Sequence, residues 1–142
     1  MGLVVELKPG ERIILGSFVV TVRSEHRAQL HIQGDGPILR EGDAIIPDEA
    51  DTPAKRLYVA AQLMYLSGDL STAQAEFFQI AKEMIEAAPS MKPYIARAGE
   101  HILAGRMFKA LRELKALIRY QDKLLARADG KEAPAERPVA AA

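Results

Sequence analysis

Leu3-Val4-Val5-Glu6-Leu7-Lys8-Pro9-Gly10-Glu11-Arg12-Ile13-Ile14-Leu15-Gly16-Ser17-Phe18-Val19-Val20-Thr21-Val22 is the stretch whose reading decides the fold. Apolar runs four to six residues long are cut at Pro9-Gly10, at Gly16-Ser17 and again at Arg23-Ser24-Glu25. Gln29-Leu30-His31-Ile32 then stops at Gly34-Asp35-Gly36, and Gly36-Pro37-Ile38-Leu39-Arg40-Glu41 closes the segment. β-branched residues between closely spaced Gly and Pro breaks predict short antiparallel strands. A small sheet of this kind has more edge than core, so its edges need cover from a second copy or from the chain's own helices. Two-fold pairing is the commonest solution among oligomers, and a homodimer is the expectation.

Outward from that stretch, Glu41-Gly42-Asp43-Ala44-Ile45-Ile46-Pro47-Asp48-Glu49-Ala50-Asp51 is an acidic connector. Thr52-Pro53 then offers a hydroxyl N-cap and a proline at the first helical position, which predicts a helix ending at Ser67-Gly68. Ser71 with Gln74 reads as a capping box for a second helix closed by Pro89. A third begins at Ser90, buries Tyr94, Ile95, Ala98, Ile102 and Leu103, and stops at Gly105. The fourth, from Arg106 to about Arg127, carries Leu111, Leu114, Leu117, Ile118 and Leu125 on one side. The expected fold is α+β: a β unit over residues 1–46, an antiparallel bundle of about four helices over 47–128, and a disordered tail over 129–142. No 34-residue period supports a tetratricopeptide array.

The composition is 49% hydrophobic and 27% charged, enough apolar material for a packed core. Without cysteine there is no disulfide, thiolate metal site or cysteine nucleophile. The start lacks the basic region of a signal peptide, and no run of eighteen apolar residues occurs, so the expected compartment is the cytoplasm. His26, His31 and His101 stand apart from metal-ligand spacing, and the serines beside turns lack a nucleophile-elbow context. Neither an enzyme nor a cofactor-binding protein is expected.

Net charge is zero, yet its distribution is uneven. Residues 1–46 hold five basic and six acidic side chains, whereas residues 106–127 hold seven basic and two acidic. Arg106, Lys109, Arg112, Lys115, Arg119, Lys123 and Arg127 recur at helical spacing opposite the leucines. The bland account is a solvated face; the functional one is a surface for phosphates or an acidic partner. Phe108 and Tyr120 are the only aromatic residues near the stripe in sequence.

Six segments together resemble one family. Leu7-Lys8-Pro9-Gly10-Glu11-Arg12-Ile13-Ile14, Pro37-Ile38-Leu39-Arg40-Glu41, Thr52-Pro53-Ala54-Lys55-Arg56-Leu57-Tyr58, Gln62-Leu63-Met64-Tyr65-Leu66, Ala87-Ala88-Pro89-Ser90 and Ala104-Gly105-Arg106-Met107-Phe108-Lys109-Ala110-Leu111 stand in the order and spacing of the flagellar regulator FlbT. That resemblance implies post-transcriptional repression of flagellin through the 5′ untranslated region of its mRNA, with decay of the message, beside a second flagellar protein, FlaF.

The β unit alone is also similar to the carbon storage regulator CsrA. Gly10-Glu11-Arg12, Leu15-Gly16, Val20-Thr21-Val22, Gly36-Pro37 and Leu39-Arg40-Glu41 carry the likeness. It implies an interlocked β dimer that reads RNA with first-strand basic residues and a late arginine. Lys8 matches one first-strand arginine and Arg40 the late one; the other first-strand arginine is Leu7 here. Arg40 is expected to project past the end of the last strand, where its guanidinium suits phosphate or guanine in bidentate fashion.

Two functional expectations follow. In one, Lys8, Arg12 and Arg40 bind RNA, helped by the stripe of Arg106, Lys109, Arg112, Lys115, Arg119 and Lys123. In the other, the helices hold flagellin, FlaF or another flagellar component, and effects on mRNA are indirect.

Overall fold

The computed structural model describes residues 2–68 and 70–128. The disordered tail expected over 129–142 lies outside the described residues. Five strands, β1 (Gly2–Leu7), β2 (Arg12–Leu15), β3 (Phe18–Thr21), β4 (Ala28–Gln33) and β5 (Ile38–Arg40), precede four helices. The helices are α1 (Pro53–Ser67), α2 (Leu70–Ala87), α3 (Lys92–Leu103) and α4 (Met107–Ala128). The chain is therefore α+β, and it divides into two compact units between Ile80 and Ala81, within α2.

The strands form two small antiparallel sheets rather than one. One pairs β1 with β4, and the other has the order β3-β2-β5. Turn chemistry fixes both. In Lys8-Pro9-Gly10-Glu11 the proline precedes a glycine at φ 82°, and Glu11 N–H donates to the Lys8 carbonyl at 3.0 Å, which is a type II turn. Leu15 pairs with Phe18 across Gly16-Ser17. Gly16 has φ 60° and, among the described residues, no non-glycine residue has positive φ, as a type II′ hairpin requires.

Alternation then sorts the side chains. Val5, Leu7, Ile13 and Val22 are buried together, with Leu15, Val20, Ala28, Leu30, Ile32 and Ile38 packed around them. The inner faces of the two sheets supply this core, each buried aliphatic side chain contributing roughly 1.5–3 kcal/mol of transfer free energy. Ile14 and Leu39 pair on the opposite face of the three-stranded sheet. They are buried too, because the connector crosses that face and brings Ala44 and Ile46 beside Ile14.

α1 fastens the connector. Thr52 caps α1, its Oγ1 accepting from Lys55 N–H, and Gly68 ends it in the left-handed region. From the buried side of α1, Tyr58 donates its hydroxyl to the Asp43 carbonyl. Gln62 accepts from Ile45 N–H at 2.8 Å and donates to the Ile45 carbonyl at 2.8 Å. Burial, and then the charge of Asp43, raise the Tyr58 phenol above its ordinary range. A raised phenol favours the protonated form in the folded chain. Its contribution is therefore complete below the ordinary phenol pKa of about 10 and is lost as pH climbs above it. Tyr58→Phe is expected to cost about 1–2 kcal/mol at neutral pH and to flatten the alkaline fall of the urea midpoint. An alkaline limb identical in both proteins would rule Tyr58 out as its source.

Two helix starts differ from the sequence expectation. α2 begins at Leu70, one residue ahead of Ser71, and a 3-10 turn over Pro89–Met91 takes the place assigned to the first residues of α3. α3 and α4 are joined at Gly105, φ 79°, where Arg106 N–H reaches the His101 carbonyl at 2.8 Å in a Schellman closure. Leu103 and Leu125, expected in the core, are 73% and 47% exposed. Leu103 sits in the last turn before that closure, and Leu125 in the last turn of α4, where a helix has outrun its neighbours. Among the described residues, no helix is long and apolar enough to cross a membrane.

Candidate nucleic-acid interface

The cations expected to contact RNA lie in two places, and their surroundings differ. In the β unit, Arg12 opens β2 next to Glu41, which follows β5 in the same register. Its Nε donates to Glu41 Oε1 at 3.1 Å, and its terminal nitrogens lie 3.5 Å from Glu49. The two carboxylates hold the guanidinium above its ordinary pKa, Glu41 first and Glu49 second. Two carboxylates thus engage Arg12 and tie strand to connector.

Arg40 pairs with Ile13 across β2–β5, so it shares a face with Ile38 and Leu39 turns the other way. The side chain is exposed, and its Nη2 donates to the Glu6 carbonyl on β1 at 3.4 Å. Arg40 therefore bridges the outer strands of the two sheets. Lys8 lies in the turn after β1, where its backbone N–H is held by Glu11 Oε1 at 2.8 Å and its side chain faces solvent. Leu7, where the CsrA family has its other first-strand arginine, is fully buried.

α4 presents the opposite situation. Ala110, Leu111, Leu114, Leu117 and Gln121 form its buried side. Of the cationic stripe, Arg106, Lys109, Arg112, Arg119 and Arg127 are exposed, while Lys115 and Lys123 are half-buried. Arg106 is occupied, donating Nε–H to His101 Nδ1 at 3.1 Å. Among the described residues, Lys109, Arg112, Arg119, Lys123 and Arg127 form no ion pair. Glu113, one of the two acids of the helix, is taken by Arg97 of α3 at 3.0 Å; the other, Asp122, is exposed. Among the described residues, cations without an ion pair form a row on α4, along roughly 30 Å of helix, while the β unit has Lys8, Arg23 and Arg40 at scattered positions.

One neighbour of the stripe could not be found by reading along the chain. Tyr94 of α3 stacks on Tyr120 of α4, centroids 5.2 Å apart, because the antiparallel hairpin brings together residues far apart in sequence.

Among the described residues, this small α+β chain thus carries on α4 a row of cations of which Lys109, Arg112, Arg119, Lys123 and Arg127 form no ion pair. The family model of the flagellar protein FlbT matches residues 3–125, nearly the whole of the described structure. The chain is 46% identical over 127 residues to a probable flagellum biosynthesis repressor protein FlbT of Rhodopseudomonas palustris (strain TIE-1), covering 89% of this chain and all of that relative. A probable flagellum biosynthesis repressor protein FlbT 1 of Bradyrhizobium diazoefficiens is 45% identical over 87% of this chain and 85% of its own length. The flagellum biosynthesis repressor protein FlbT of Caulobacter vibrioides (strain ATCC 19089) is 30% identical over 88% of this chain and 90% of its own. The chain belongs to the FlbT family of flagellar regulators. No solved structure matches it significantly, and the likeness of the β unit to CsrA has no support from these comparisons.

Proposed function

We propose that this chain represses flagellin synthesis after transcription, by binding the 5′ untranslated region of flagellin mRNA in the cytoplasm and promoting decay of the message. Repression of flagellum biosynthesis is what the names of its relatives state. The observation that supports RNA as the target is the set of unpaired cations on α4. Phosphate contacts of this kind fix register, so a protein of zero net charge needs only one such face. Titration of the purified chain with the flagellin leader at several salt concentrations tests it. Affinity should fall steeply and linearly in log–log form; an affinity independent of salt excludes this face as the RNA site.

The same proposal includes a homodimer. Among the described residues, β1 pairs only with β4, and β3 only with β2, leaving both with an open edge. Leu3 and Val4 on β1 and Phe18 and Val19 on β3 are 45–71% exposed, an unusual cost for solvent-facing strands. Light scattering should give the mass of two chains at micromolar concentration, and Val19→Lys with Val4→Lys should give one. A monomeric wild type removes the homodimer from the proposal.

A second reading rests on Leu103 and Phe108, 73% and 51% exposed on either side of the α3–α4 turn. An apolar tip favours a protein partner, for which FlaF or flagellin are the candidates. Leader binding that requires added FlaF would favour that reading.

A further inference from the structure

The unpaired cations of α4 border a column of stacked groups. Tyr94 and Tyr120 lie with their ring planes 27° apart. Arg97 of α3 lays its guanidinium over the Tyr94 ring, 5.4 Å from the centroid. Glu113 orients it, accepting Nε–H at 3.0 Å. The Tyr120 hydroxyl donates to Ser90 Oγ at 2.7 Å. The hairpin already has an aliphatic interior in Ile95, Ala98 and Ile102 of α3 and Leu111, Leu114 and Leu117 of α4. The column stands outside that interior: both tyrosines are half-buried, and Ser90 and Arg97 are exposed.

Helix geometry decides which cations flank it. At 3.6 residues per turn, Lys123, Arg127 and Lys109 lie within about 60° of Tyr120 around the α4 axis. Along that line between Lys109 and the rings stand Ala116, which is small, and Glu113, whose carboxylate Arg97 already engages. Flat π faces flanked by cations are the two components of a site for an unpaired strand, bases on the faces and phosphates on the charges. A duplex keeps its bases stacked inside and offers them to neither.

We infer that the Arg97–Tyr94–Tyr120 column is a base-stacking platform for single-stranded RNA. An unpaired base extends the column, and Lys109, Lys123 and Arg127 hold the adjoining phosphates. This rests on the RNA reading above and adds to it a place and a strandedness.

The test uses the full chain with the flagellin leader RNA, single-stranded and annealed to its complement. Tyr120→Phe keeps the ring and should bind as wild type. Tyr120→Leu keeps apolar volume without a π face, and should bind about fivefold to a hundredfold more weakly, the range for one lost base stack, with the salt slope unchanged. Lys109→Gln with Arg127→Gln changes only exposed side chains and should lower the slope by about 1.4. That pair carries the test if Tyr120→Leu does not fold. Wild type should prefer the single strand.

Folded Tyr120→Leu binding as tightly as wild type overturns the platform and leaves the RNA reading standing. So does equal affinity for the duplex, or an unchanged slope in the lysine–arginine pair. Unchanged RNA affinity in Tyr120→Leu with repression lost in cells would assign the column to a protein partner and also overturn it. A wild type that binds no leader RNA at any salt removes the RNA reading itself, and the platform with it.

Discussion

Gln62→Leu is expected to lower stability by about 2–4 kcal/mol, which for a chain of this size lowers the melting temperature by about 5–15 °C. Gln62 is 2% exposed and spends both ends of its amide on one residue, Ile45. Leucine fills nearly the same volume, so little cavity is created. The cost comes from leaving a half-buried N–H and a half-buried carbonyl without partners, each worth about 1–3 kcal/mol when unsatisfied. Water reaching the connector would recover part of it. The urea midpoint should fall with little change in slope, the mark of altered stability rather than altered compactness. A loss below about 0.5 kcal/mol, the range of ordinary surface substitutions, would mean that the connector is held by something else.

The same substitution bears on Arg12. Glu41 and Glu49 belong to the connector that Gln62 and Tyr58 pin to α1. Arg12 keeps both carboxylates only while the connector stays in place. Its ion pairs are themselves exposed and contribute little to stability. Their effect is on availability: a phosphate must compete with two carboxylates for this guanidinium.

This is where reading the sequence stops short. The strands were legible because their boundaries are local: Pro9-Gly10 and Gly16-Ser17 dictate turn types from adjacent residues. The cap at Thr52 and the stop at Gly68 were legible for the same reason. The face that Arg40 shares with Ile38 follows from alternation alone, but its contact with the Glu6 carbonyl on β1 does not. What was not legible depends on partners distant in sequence. Nothing near Arg12 reveals that Glu41 and Glu49 will close on it, and nothing near Tyr120 points to Tyr94. Leu103 and Leu125 fit the apolar pattern of their helices and are exposed nonetheless, because periodicity gives the side of a helix but not how far its neighbours extend. The split into two sheets had no local signal either, since alternation within a strand does not say which strand will be its neighbour.

Replacing Lys109, Arg112, Arg119 and Lys123 together by glutamine is expected to weaken leader binding by about two orders of magnitude at 0.15 M salt, while leaving the protein folded. The magnitude follows from counterion release. Each phosphate neutralised on a single strand contributes about 0.7 to the slope of log affinity against log salt, so four lost contacts remove about 2.8. Folding should be spared for two reasons. None of the four forms an ion pair among the described residues, and glutamine has nearly the helix propensity of lysine and arginine. Removing four charges also makes the whole chain more acidic, which repels RNA at long range. Lys8→Gln with Arg40→Gln controls for that by removing two charges from the β unit. If α4 is the RNA face, each charge removed there should lower the slope far more than each removed from the β unit. Equal losses per charge would mean that the RNA senses only net charge, and a larger loss from the β-unit pair would return the site to Lys8 and Arg40. With the slope and affinity of the α4 variant both unchanged, the stripe would be what any amphipathic helix carries, a solvated face.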